Sequence, residues 1–261
     1  MKLSSDIAAV IVGGASGLGE ATVRHLSSLG VRCSIFDMNV DRGEALANSA
    51  GAAFFRCDVT DDESVARAFR DAKARHGAAR ILVNCAGTGL GMKVAGRSRQ
   101  TGAVEGHPMN AFARIIDINL IGSFRAMLCF STDLLHTDPI DQDGERGVIV
   151  NTASIAAEDG QQGQAAYAAS KSGLVGLTLP AARDLAREGV RVMTILPGYF
   201  STPLTGRVPP AAQEKLIDAS LFPRRGGDPH EYALLVEHIC VNKMLNAECI
   251  RLDGGARLPR R

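Results

Sequence analysis

At 261 residues, 46% of them hydrophobic, the chain is long enough for one large α/β domain around a sizeable buried core. Its 29 Lys plus Arg against 28 Asp plus Glu leave a formal charge of +1, which speaks against nucleic acid or an anionic membrane as a main partner. No uninterrupted apolar run approaches the ~18–20 residues of a membrane span, and only Met1 to Asp6 precede the first β-type run, too little for a signal peptide; a soluble cytoplasmic protein is expected.

In chain order, Ile7–Val12 reads as a strand that is apolar on both faces, the mark of a parallel sheet covered on both sides. It runs into Gly13-Gly14-Ala15-Ser16-Gly17-Leu18-Gly19 and then a helix over Gly17–Ser28. Glycines there let the backbone turn tightly and approach a pyrophosphate, which sits on the helix N-terminus. The next strand, Arg32–Phe36, is closed by Asp37. An acid at that place accepts hydrogen bonds from adenosine ribose hydroxyls and repels a 2′-phosphate. Ala15, Ser16 and Met38 supply no compensating cation, so the expected cofactor is NAD rather than NADP. The plain alternative for Asp37 is a strand-end turn residue.

Ala53–Arg56 and Ile81–Asn84 read as strands flanking a helix over Glu63–His76. Thr88–Gly106 is rich in Gly with Lys93, Arg97 and Arg99 scattered through it, an inserted hairpin or loop. A helix is expected over Ala111–Leu135, then a strand over Val148–Thr152 with Ser154 just past its end. The helix over Gln164–Arg187 carries Tyr167 and Lys171, four residues apart and so on one face. A phenol is a poor base at neutral pH, and an adjacent ammonium is expected to lower its pKa and suit Tyr167 to acid–base work. An ordinary Tyr beside a solvated Lys is the alternative for this pair alone. Pro180 inside the same helix predicts a kink or local break. Arg191–Leu196 and Cys249–Leu252 complete the strands. Between them Tyr199–Pro229 holds five of the ten prolines and predicts a mobile excursion with a short helix near Ala211–Ser220, of the kind that serves as a lid or binding loop.

This alternation predicts one α/β domain over residues 1–261, a doubly wound Rossmann-type parallel sheet of about seven strands with helices on both faces. The six cysteines contain no C-x-x-C pair and the six histidines no ligand-like spacing. Free thiols and no metal site are expected.

The glycine turn, Asp58-Val59, Asn84-Cys85-Ala86-Gly87, Asn119, Ser154, Tyr167, Lys171 and Pro197-Gly198 occur in an order that resembles the short-chain dehydrogenase/reductase family over essentially the whole chain. Val12 stands where that pattern has Thr, and Cys85 where it has the second Asn of N-N-A-G. Gly147–Ser154, Gly163–Tyr167, Thr178-Leu179-Pro180, Ala182–Ala186, Ile250–Gly254 and the 88–106 insertion look like its type II 3-hydroxyacyl-CoA dehydrogenases, which also act as 17β-hydroxysteroid dehydrogenases.

The resemblance implies that Tyr167 moves the proton, Ser154 holds the substrate oxygen, Lys171 binds nicotinamide ribose, and Asn119 anchors a water linking Lys171 to solvent. Gly13, Ser16, Gly17, Leu18, Gly19 and Asp37 would hold the pyrophosphate and adenosine ribose. Asp58 and Val59 would flank the adenine. Asn84, Ala86 and Gly87 would line the cofactor, while Pro197, Gly198 and Thr202 hold its nicotinamide end. Gln162 and Gln164 either face the substrate or are exposed loop glutamines. Phe200, Leu204, Leu221 and Phe222 either bind an acyl chain or steroid or pack a surface loop. The implied activity is oxidation of 3-hydroxyacyl-CoA with NAD, with a hydroxysteroid or other secondary alcohol as the alternative substrate; a nucleotide-binding scaffold without turnover is the remote third reading. A homotetramer is implied as well.

Overall fold

Seven strands lie side by side, every neighbouring pair parallel, with Ala53–Arg56 at one edge, then Arg32–Asp37, Ala8–Val12, Ile81–Asn84, Gly147–Thr152 and Val190–Pro197, and Cys249–Leu252 at the other. They are β1 (Ala8–Val12), β2 (Arg32–Asp37), β3 (Ala53–Arg56), β4 (Ile81–Asn84), β7 (Gly147–Thr152), β8 (Val190–Pro197) and β9 (Cys249–Leu252). The computed structural model describes residues 1–89, 91–98, 100–203, 205–207 and 209–259. The doubly wound sheet and the single domain match the expectation, with strand ends within a residue or so of those read from the sequence.

Alternation along the strands sorts the core into two halves. Ala9 and Ile11 of β1 face one side with Val148 and Val150 of β7, against α1 (Gly17–Ser28), α2 (Val40–Ala50) and α8 (Pro229–Val241). Val10 and Val12 face the other with Ile149, against α3 (Asp62–His76), α5 (Gly122–Leu135) and α6 (Ala165–Leu185). This is why Ala8–Val12 of β1 and Val148–Val150 of β7 are apolar at consecutive positions rather than at alternate ones.

Three expectations need correction. The helix expected over Ala111–Leu135 is α4 (Met109–Ile116), a π turn at Asp117–Ile121, and α5. A π turn shifts the register of the helix, and here it carries the fully buried Asn119; Arg125 spans the turn and donates to Asp117 Oδ1 at 2.8 Å. The stretch Met109–Leu135 is also long and apolar enough to cross a membrane, with a mean hydropathy of 1.3 in its most apolar window. A search for uninterrupted apolar runs passes over it because Arg114, Asp117 and Arg125 divide it. Finally, α6 runs on through Pro180 without the expected break. Pro180 lies on the exposed side, where the carbonyl of Gly176, left without its helical donor, can be hydrated.

The 88–106 insertion contains a hairpin, β5 (Ala95–Arg97) paired antiparallel with β6 (Val104–Gly106). The Met92 amide ties its base to the Gly163 carbonyl at 2.8 Å, directly ahead of α6. The excursion after β8 holds α7 (Pro210–Asp218), close to the expected span.

Candidate active site

Strand order reverses direction between β1 and β4, which opens a crevice beyond the carboxyl ends of the strands. A cavity of about 1020 Å³ lies there. One end is the glycine turn. Gly13, at φ +73°, passes so close to the loop after β4 that a Cβ would stand 2.5 Å from the Ala86 amide nitrogen. Gly19 rests against the Gly13 carbonyl with no room for a side chain. Ser16 occupies the N-cap of α1, yet its hydroxyl makes no capping bond, so the first-turn amides remain available to an anion. Ser16, Gly17, Leu18 and Gly19 all border the cavity.

Asp37 stands at the edge of the same space. Its Oδ2 accepts from the Ala15 amide at 3.1 Å and its Oδ1 from the Asn39 amide at 3.0 Å. Two backbone donors orient the carboxylate while leaving lone pairs for further donors. Asp58 is held in a similar way: Oδ1 accepts from the amide and the hydroxyl of Thr60 at 2.9 and 2.7 Å. The Thr60 hydroxyl, more than any other group, keeps this carboxyl below the usual range. Val59, Ala86 and Gly87 border the cavity beside it.

The other end gathers Ser154, Tyr167 and Lys171 with Pro197, Gly198 and Thr202. Ser154 follows β7 and caps a short 3-10 turn, its Oγ accepting from the Ala156 amide at 3.1 Å. Lys171 Nζ lies 5.8 Å from the centre of the Tyr167 ring and donates to the Thr152 carbonyl at 2.8 Å. Gly87 lets the backbone come up against it, since a Cβ there would be 3.4 Å from Nζ. Burial pulls the Lys171 pKa from 10.5 down to about 8.

For Tyr167 burial acts against the lowering expected from Lys171. Burial raises its pKa above 10, and only a hydrogen bond with Ser154 works the other way. Lys171 shares the helix face with its ammonium 5.8 Å from the ring centre, and desolvation of the phenolate outweighs it.

Asn84, expected to line the cofactor, is not on the cavity wall. Asn84 ends β4 pointing inward; its Nδ2 donates to Asn151 Oδ1 at 2.9 Å and to the Ser123 carbonyl. It therefore braces β4 against β7 and α5 rather than bordering the cavity. Asn119 is enclosed and clasps the start of the insertion: Oδ1 accepts from the Thr88 amide at 2.8 Å, and Nδ2 donates to the Thr88 carbonyl and to Ser170 Oγ, both at 2.9 Å.

Neither Gln162 nor Gln164 is on the cavity wall. Gln162 is exposed, and Gln164 Oε1 accepts from the Gln161 amide at 3.0 Å. Phe200 does border the cavity, but it is 5% exposed with its ring pressed on Gly227, so it anchors the excursion. Leu221 and Phe222 point into solvent, away from the cavity. Leu204 and Arg99 lie outside the described residues.

One wall was missed. Asn110, Ala113, Arg114, Asp117, Ile118 and Ile121 line the cavity from α4 and the π turn. Their spacing is one helical face, a signal present in the sequence but overshadowed by the apolar residues between them. Cys85 and Thr152 also border the cavity. Six free cysteines and no metal-binding cluster are found among the described residues.

The sequence profile of the family described as short chain dehydrogenase matches residues 7–213. A Bos taurus protein named 3-hydroxyacyl-CoA dehydrogenase type-2 is 45% identical over 254 residues, covering 97% of this chain and 95% of its own. The Drosophila melanogaster protein of the same name is 42% identical over 251 residues, covering 95% and 96%. A crystal structure of 3-hydroxyacyl-CoA dehydrogenase type-2 from Mycobacterium avium superposes with a TM-score of 0.91 at 37% identity, covering 100% of both chains.

Proposed function

The chain belongs to the short-chain dehydrogenase family and is an oxidoreductase acting with NAD(H) or NADP(H), and from that premise we propose that it interconverts 3-hydroxyacyl-CoA and 3-ketoacyl-CoA using NAD. The observation that carries the reading is the meeting of Ser154, Tyr167 and Lys171 at one end of a cavity whose other end is an uncapped, glycine-rich helix N-terminus. The substrate class follows the names of the bovine, Drosophila and mycobacterial relatives.

The site fits a dinucleotide by its donors and its clearances. Gly13 and Gly19 let the turn fold tightly against Ala86 and against itself, which presents the first-turn amides of α1 to a phosphate, and the Ser16 hydroxyl makes no capping bond to them. Asp37 would accept the adenosine ribose hydroxyls, and its charge disfavours a 2′-phosphate. Asp58 and Val59 would flank the adenine, with Ala86 and Gly87 along the ribose. Pro197, Gly198 and Thr202 would hold the nicotinamide. The bound nicotinamide accepts or supplies the hydride.

Tyr167 takes the hydroxyl proton in oxidation and returns one in reduction, with Ser154 donating to the same oxygen. Its raised pKa suits the donor; bound cofactor and the nearby Lys171 must favour the phenolate for the reverse step. Lys171 holds the nicotinamide ribose. Asn119 fixes the Thr88 backbone beside Gly87 and Lys171, which keeps that corner rigid.

Replacement of Tyr167 by Phe removes one oxygen and should lower kcat by ~10²–10⁴ while changing NAD affinity little. Retention of more than about a tenth of wild-type kcat would remove Tyr167 from the proton transfer. Ranking kcat/KM for acetoacetyl-CoA against steroid and simple secondary alcohols tests the substrate class; a steroid at the head of the list would displace the thioester.

The chain is further read as a homotetramer. Ile121, Phe124 and Leu128 on the helix around the π turn and α5, with Leu179 on α6, are each more than 40% exposed. An apolar ridge of that kind suits burial against a second copy.

A further inference from the structure

Behind Lys171 the ends of β4 and β7 meet a side chain from the far face of the sheet. Tyr232 on α8 is fully buried, and its hydroxyl lies 2.7 Å from Thr152 Oγ1. Cys85 Sγ stands 3.7 Å from that phenol oxygen and 3.5 Å from Thr152 Oγ1. Each of the three groups can donate once and accept. One direction of donation satisfies them all: thiol to phenol oxygen, phenol to Thr152 oxygen, Thr152 hydroxyl to sulfur. The phenol–Thr152 bond is the strong member, because sulfur is a weak donor and acceptor. A phenol this deep in the core would be costly to leave unpaired, so the ring holds Thr152 as firmly as it holds Tyr232.

Thr152 is where this ring meets the proposed chemistry. Its carbonyl accepts the Lys171 ammonium at 2.8 Å. The β4–β7 register ends at Asn84 and Asn151, one residue short of Cys85 and Thr152. The side-chain ring carries the link between the two strands that one residue further, to the edge of the cavity. Cys85 also stands where the family pattern has Asn, and its thiol donates and accepts through a single atom, as a three-membered ring requires.

We propose that Tyr232, Thr152 and Cys85 form a positioning ring that holds the Thr152 carbonyl against Lys171 and so keeps its ammonium in place for Tyr167. This rests on the proposed roles of Tyr167 and Lys171. The three residues act through Lys171 and are positioning residues, not catalytic ones. The titratable groups around Lys171 are Tyr167 on its own helix, Cys85 at the end of β4 and, behind Thr152, Tyr232 on α8. No carboxylate among the described residues is hydrogen-bonded to it.

The test compares wild type with Tyr232→Phe, Thr152→Val, the double variant, Cys85→Ala and Cys85→Ser. Two quantities are read. One is kcat and KM against pH for acetoacetyl-CoA reduction by NADH. The other is the Lys171 titration in the cofactor-free protein, followed by NMR on 13C-labelled lysine and assigned with Lys171→Arg. Tyr232→Phe and Thr152→Val should each lower kcat by about 5- to 30-fold, the scale of a lost buried hydrogen bond, with KM nearly unchanged. Each should move the Lys171 midpoint downward by about half a unit or more, since the ammonium loses a fixed acceptor. The double variant should be no worse than the poorer single one, because both remove the same link. Cys85→Ser, which keeps a donor and an acceptor, should recover most of the rate that Cys85→Ala loses.

An unshifted Lys171 titration in Tyr232→Phe overturns the proposal, whatever happens to melting temperature or rate, because a tyrosine that merely packs the core would not move it. Additive losses in the double variant overturn it too. The NMR readout needs no turnover and decides the matter even if another thioester proves to be the substrate. Tyr167→Phe separates the two levels: a wild-type rate in that variant fails the catalytic assignment. An inactive Tyr167→Phe beside an unaltered Tyr232→Phe fails the ring alone.

Discussion

Replacing Lys171 by Met should abolish turnover and change how stability depends on pH. The ammonium is buried with the Thr152 carbonyl as its hydrogen-bond acceptor, and burial lowers its pKa from 10.5 to about 8. Between those values the unfolded chain holds a proton that the folded protein has released, so stability rises with pH across that window. Below about 8 both states are protonated and the full cost of burying the charge is present; above 10.5 it is gone. Across pH 7 to pH 10 the wild type therefore gains a few kcal/mol, on the order of 1.4 kcal/mol per unit of pKa shift, that Lys171→Met cannot gain. The methionine variant leaves the Thr152 carbonyl unpaired at a cost of ~1–3 kcal/mol, which offsets its advantage near neutrality but does not vary with pH. The slope is therefore the diagnostic quantity. Urea unfolding of both cofactor-free proteins, at one protein concentration and across pH 7 to 10, measures it. A stability difference that stays constant within about 0.5 kcal/mol over that range would refute the buried, proton-releasing lysine.

Asp37→Ala should weaken NAD binding and relax the rejection of NADP, read as the ratio of kcat/KM for the two cofactors; equal use of both by the wild type would contradict the reading of Asp37. Neutralising Lys93 and Arg97, both exposed on the insertion docked beside α6, should raise KM for acetoacetyl-CoA with kcat nearly unchanged, as loss of remote binding does. That effect should fade as salt is raised, and an unaltered KM at low salt would detach the insertion from the substrate. Phe124→Lys with Leu128→Lys should break the assembly, seen as a smaller sedimentation coefficient; a wild type that sediments as a monomer at micromolar concentration would dispose of the tetramer itself.

What the sequence disclosed and what it concealed divide along a physical line. Strands β1, β4 and β7 are legible because a sheet covered on both faces places apolar residues at consecutive positions, as in Ala8–Val12, Ile81–Val83 and Val148–Val150. The glycine turn was legible because its backbone approaches, Gly13 on Ala86 and Gly19 on Gly13, exclude any side chain. Both signals are local. Asn84 and Asn119 were recognised as important polar residues, yet their partners, Asn151 and Thr88, are fixed by strand register and by a π turn that no periodicity announces. The burial that raises the Tyr167 pKa is hidden in the sequence for the same reason. Spacing puts Lys171 on the phenol's side of the helix, but only the fold decides that the ammonium turns to Thr152 and that burial outweighs charge. Tyr232 is the extreme case. On its own helix it is one more apolar position among Ala233, Val236 and Ile239, and nothing within ten residues hints that its hydroxyl ends beside Thr152, the residue whose carbonyl holds Lys171. A side chain whose role is made by a partner on another layer of the fold carries no sequence signature of its own, so it must be sought by asking where every buried hydroxyl finds its partner.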